Sequence, residues 1–81
     1  MSQVIRRADD YGLDVTRPVD LGSVHGVTQW GFYFEDLVGS EVDAFYDLAD
    51  DLDRILGGSG GYIVHADRES QTSDNYYISL L

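Results

Sequence analysis

Apolar residues recur at spacings of three and four through Val42, Phe45, Leu48, Ala49, Leu52, Ile55 and Leu56, the period that lays a hydrophobic stripe along one side of a helix. The pattern predicts a main amphipathic helix over Glu41 to Leu56. Ser40 stands where a side-chain cap is wanted, Glu41 and Asp43 suit the positive end of the helix dipole, and Gly57 is placed to end the helix in a left-handed conformation. Gly57, Gly58, Ser59, Gly60 and Gly61 follow as a flexible connector. A Walker-type phosphate loop needs a lysine, and this chain has none.

Elsewhere the period drops to two. Val27 to Glu35 alternates, with Trp30, Phe32 and Phe34 on the expected core side and Gln29, Tyr33 and Glu35 on the other. Gly31 inside this run marks a bulge or a close backbone approach. Tyr62 to Arg68 reads as a strand with Tyr62, Val64 and Ala66 on one face, and Tyr76 to Leu81 as a second, so the two form an antiparallel hairpin around the polar loop Glu69 to Asn75. Toward the N-terminus, Val4, Ile5, Ala8 and Tyr11 fit a short helix stopped at Gly12, although its arginine-first, aspartate-last order opposes the dipole. Leu13 to Asp20 is expected as an edge strand broken by Pro18, and Gly22 to Gly26 as a turn.

These elements assemble into a single α+β domain spanning residues 1–81, with three or four mostly antiparallel strands and the main helix across one sheet face. A chain of 81 residues has room for one modest core. Trp30, Phe32, Phe34, Phe45, Leu48, Leu52 and Ile55 are expected to fill it.

Charge changes the picture. Fifteen carboxylates against five arginines leave a net charge of −10, a field that attracts cations and repels phosphate backbones. Direct binding to nucleic acid or to an anionic membrane is disfavoured. With no cysteine there is neither a disulfide nor a thiolate site. No run of about 18 apolar residues occurs and Met1 to Arg7 does not resemble a signal peptide. A cytoplasmic location is expected, the host cytoplasm if a phage encodes the chain.

At about 100° per residue, Asp43, Asp47, Asp50 and Asp51 fall opposite the apolar stripe, with Arg54 among them and Asp53 at the flank. Over the ~12 Å from Asp43 to Asp51, one DNA strand would present roughly three or four phosphates. Glu35 and Asp36, just ahead of the helix, extend the line as rim charges. Asp67, Glu69 and Asp74 make a further acidic group. The alternative is the solvated face of a helix in a generally acidic protein, and an all-arginine, aspartate-rich composition also fits a genome-wide or halophile-type bias. Against that stands the crowding: like charges three and four apart oppose the helix by a few tenths of a kcal/mol each.

In size, charge and acidic helix the chain resembles small phage proteins that imitate nucleic acid, such as anti-CRISPR inhibitors and the uracil-DNA glycosylase inhibitor. The resemblance implies a protein that occupies the basic groove of a protein or ribonucleoprotein complex, carboxylates standing in for phosphates. A second resemblance is to acidic immunity or antitoxin-type inhibitors of a basic nuclease, for which Tyr33, Tyr46, Tyr62, Tyr76 and Tyr77 are candidate anchors. Partly buried strand or helix positions account for most of these tyrosines equally well.

Enzyme chemistry finds little support. His25 and His65 are the two imidazoles; His65 with Asp67 makes at most half of a metal site. Asp50, Asp51 and Asp53 lack the loop and central glycine of a calcium hand. Ser40 has no base nearby in sequence. No catalytic residue, metal or cofactor is expected.

Overall fold

A computed structural model describes residues 2–58 and 61–81. In chain order it contains helix α1 (Ser2–Asp10), strands β1 (Arg17–Val24) and β2 (Val27–Phe34), helix α2 (Ser40–Leu52) continued by a π-helical turn (Asp53–Gly57), and strands β3 (Val64–Arg68) and β4 (Tyr76–Leu80). The four strands form one sheet in the order β1-β2-β4-β3 with every neighbouring pair antiparallel. This is the expected α+β architecture, with the main helix on one sheet face and α1 packed beside it.

The core lies between sheet and helices. Phe32, Phe34, Tyr76, Ile78 and Leu80 come from the two central strands, Phe45, Leu48, Ala49 and Leu52 from α2, and Val4 and Ala8 from α1. The Phe45 ring meets Phe34 edge-on at 5.3 Å and Tyr76 at 5.1 Å. Each fully buried aromatic or aliphatic side chain contributes roughly 1.5–3 kcal/mol. α1 forms despite its unfavourable charge order because Val4 and Ala8, one turn apart, are fully buried, which outweighs a dipole term of at most about 1 kcal/mol.

Several expectations give way at element ends. Gly39, with φ 58°, takes the cap position of α2, and Ser40 is the first helical residue without a capping bond; the Val38 amide donates weakly to Glu41 Oε1 at 3.4 Å instead. At the other end the regular helix stops at Leu52 and a wider turn follows. Its extra residue shifts the phase of the stripe, so Ile55 is partly exposed and outside the core, while Leu56 packs against it. Gly57 is not left-handed. A Cβ there would stand 2.7 Å from Asp53 Oδ1, the tip of an exposed side chain that can turn aside. Of the expected connector, Ser59 and Gly60 lie outside the described residues.

The first hairpin is longer than its sequence suggests. β1 runs through Pro18, tolerated on an edge strand, and on to Val24, so the turn is the pair His25 (φ 52°) and Gly26 (φ 81°). The irregularity lies between Asp20 and Gly22, where the Gly22 amide donates to Asp20 Oδ1 at 2.8 Å. β2 is regular at Gly31, which is covered by the Leu21 side chain rather than by backbone. Trp30 is partly buried at the margin of the core. The β3–β4 hairpin follows its expected pairing, with the loop closed by the Glu69 amide on the Asn75 carbonyl at 2.8 Å.

A candidate partner-binding face on the acidic helix

Phe45, Leu48, Ala49 and Leu52 fix the rotation of α2, and everything about the acidic residues follows from it. Asp43, Asp47 and Asp50 are exposed on the opposite side at successive spacings of four and three, and Asp53, still in helical phase with its amide on the Ala49 carbonyl, is exposed as well. Among the described residues none of these four carboxylates takes part in an ion pair. Asp43 also lies in the first turn of the helix, where the dipole favours it.

Asp51 behaves differently. Its side chain is 14 % exposed and lies between two guanidinium groups, Arg7 Nη1 at 3.2 Å from Oδ2 and Arg54 Nη2 at 2.9 Å from Oδ1. On the helical wheel Asp51 stands about 80° from Asp43, on the flank that meets α1. It is a structural carboxylate neutralised within the molecule and leaves the outward row, and Asp53 joins that row in its place.

The rim charges sit in the segment between β2 and α2. Glu35 accepts from Thr16 Oγ1 at 3.3 Å beside the start of β1. Asp36 has φ 57° and its amide donates to Asn75 Oδ1 at 3.2 Å, which ties the loop after β2 to the far hairpin. Both are exposed. In the further group Asp74 lies 3.9 Å from Arg68, and Asp67 Oδ1 accepts the Arg68 amide at 2.7 Å.

Two shallow clefts flank the row. One is lined by Tyr11, Asp47, Asp50, Asp53 and Arg54. The other lies between α2 and the edge strand β3, with Tyr46, Asp50 and Asp53 on its helix side. Asp50 and Asp53 thus stand on the ridge between a tyrosine from α1's C-terminal turn and the half-exposed Tyr46, whose ring packs at 5.1 Å on Phe45. Partial burial, followed by the charges of Asp51 and Asp47, raises the Tyr11 phenol above its ordinary value. Of the tyrosines named as anchors, Tyr76 is buried in the core, Tyr33, Tyr62 and Tyr77 are partly buried, and Tyr46 is exposed. Tyr11 was not legible as a site residue, because only the packing of α1 on α2 brings it to carboxylates some forty positions away.

The arrangement presents fixed negative charge with aromatic shoulders. Among the described residues no three metal-ligating side chains converge, and no helix is long and apolar enough to cross a membrane. Comparison with known protein families, with curated proteins and with solved structures finds no match.

Proposed function

We propose that this protein is a binding protein without turnover that covers a basic, nucleic-acid-binding surface of a protein or ribonucleoprotein partner. The observation that carries the reading is the outward row Asp43, Asp47, Asp50 and Asp53, unpaired among the described residues although Arg7 of α1 and Arg54 of the following turn lie nearby, both engaged by Asp51. A row meant only to keep the chain dissolved has no need of such crowding. Electrostatic steering by these carboxylates raises the association rate, and Tyr11 and Tyr46 supply contact area beside them.

A second reading, an immunity or antitoxin-type inhibitor of a basic nuclease, draws on the same row and gives more weight to the two tyrosines. The partner's identity separates the two. The test is capture of a partner at low salt in the presence and absence of competing duplex DNA or RNA, followed by association kinetics. Expected is a nucleic-acid-binding partner displaced by the competitor, whose association slows and loses salt dependence with Asp47→Asn and Asp50→Asn together. A chain that retains no basic protein and simply gains folding stability in molar salt is an acidic fold of the halophile type, and the proposal fails.

A further inference from the structure

An antiparallel sheet with one face on a core and the other in water alternates apolar and polar positions. This sheet departs from that rule on its open side. Register and strand alternation put Val24, Val27, Ile63 and Leu81 on the face away from the helices, and Leu21, in the bulge, covers Gly31 on the same face. These residues are 49, 49, 70, 44 and 45 % exposed and make up five of the eight large hydrophobic residues left in solvent among the described residues. Within the paired strands the charged side chains on this face are Arg17 and Asp67, in a molecule with fifteen carboxylates.

Those two charges end one continuous row. Arg17 pairs with Tyr33, Tyr33 with Tyr77, and Tyr77 with Asp67, so the row runs from a cation on edge strand β1 to an anion on edge strand β3. The Arg17 guanidinium lies 4.5 Å from the centre of the Tyr33 ring, and Tyr33 and Tyr77 are 6.2 Å apart. A two-fold axis parallel to the strands, in front of such a face, lays β1 of one copy over β3 of the other and keeps each row in register with itself. Arg17 then meets Asp67 of the second copy at both ends, and Tyr33 meets its Tyr77.

We infer that the open sheet face packs against the same face of a second copy of this chain, forming a two-fold sandwich sealed by reciprocal Arg17–Asp67 pairs. Charge selects this occupant. Two chains that each carry −10 can approach only where carboxylates do not face one another, and this face is nearly neutral and self-complementary. A strongly cationic partner is drawn instead to α2 on the far side of the sheet. A single-stranded nucleic acid, which would value the tyrosine platform, is repelled by the net charge. Sheet-on-sheet packing of this kind is an ordinary way to bury two such faces.

Sedimentation equilibrium of the full chain, with far-UV circular dichroism as the control for folding, tests this directly. The wild type is expected at twice the chain mass. Ile63→Asp should run as a folded monomer, and Arg17→Asp or Asp67→Arg alone should each raise the dimer dissociation constant by about tenfold or more, while the double reversal restores it to within about threefold of wild type. Because Arg17 and Asp67 lie on the surface, their variants remain informative even if Ile63→Asp fails to fold. A wild type that is monomeric up to about 1 mM, including one that associates only with another protein, overturns the inference. So does a dimer indifferent to Ile63→Asp and Arg17→Asp, or a double reversal that does not recover.

Discussion

Arg7 and Asp51, forty-four positions apart in sequence, meet at 3.2 Å and join α1 to α2. Arg54 approaches the other oxygen of the same carboxylate at 2.9 Å, so one aspartate holds two cations that would otherwise dilute the negative face beside it. Asp51→Asn keeps the shape and removes the charge. It is expected to lower folding stability by about 1 kcal/mol, read as a fall in the urea midpoint. Because Asp51 lies off the outward row, the same variant should slow partner association less than Asp50→Asn does.

Asp47 and Asp50 predict the opposite sign. Each is exposed and has like charges three or four positions away, so neutralising them with asparagine removes repulsion and should raise stability by a few tenths of a kcal/mol per residue at low ionic strength, less in high salt. Thermal unfolding at two salt concentrations measures this. A drop in stability would show that these carboxylates hold the fold together and are not reserved for a partner.

Tyr11 supplies a pH test. Partial burial and the nearby Asp51 and Asp47 charges raise its phenol, so the folded chain holds that proton more tightly than the unfolded chain does. The resulting stability is fully present below pH about 10 and is lost as pH rises through the folded-state value. Urea unfolding across that range should show a decline that is shallower in Tyr11→Phe. Equal slopes would mean that Tyr11 is not confined beside the carboxylates.

Signals that act over a few residues were legible in the chain. The three-and-four spacing of Val42 through Leu52 identified α2, and simple alternation identified β2 and both strands of the second hairpin. β1 begins and ends later than its sequence suggests, because an edge strand with one partly buried residue, Val19, leaves no burial period to read. The tight turn at His25 and Gly26 was hidden by a glycine at position 22 that belongs to a bulge. For the candidate site, the wheel identified the outward side of α2, yet Asp51 and Asp53 exchanged roles. Which flank of a helix is covered depends on where its neighbour docks. Here Val4 and Ala8 bring Arg7 against one flank, where Asp51 meets it, and leave Asp53 exposed on the other.

The strand order has a consequence for how the molecule is built. β4 occupies the middle of the sheet, between β2 and β3, so Trp30 to Phe34 wait for partners more than forty residues further along the chain. The first hairpin and α2 can form locally while the nascent chain lengthens, but Phe32 and Phe34 stay uncovered along one edge until Tyr76 to Leu80 have been synthesised. Completion of the sheet is therefore a late, long-range closure, the kind of step that slows folding. Until it occurs, the bare flank of β2 is the place where this chain is most open to mispairing.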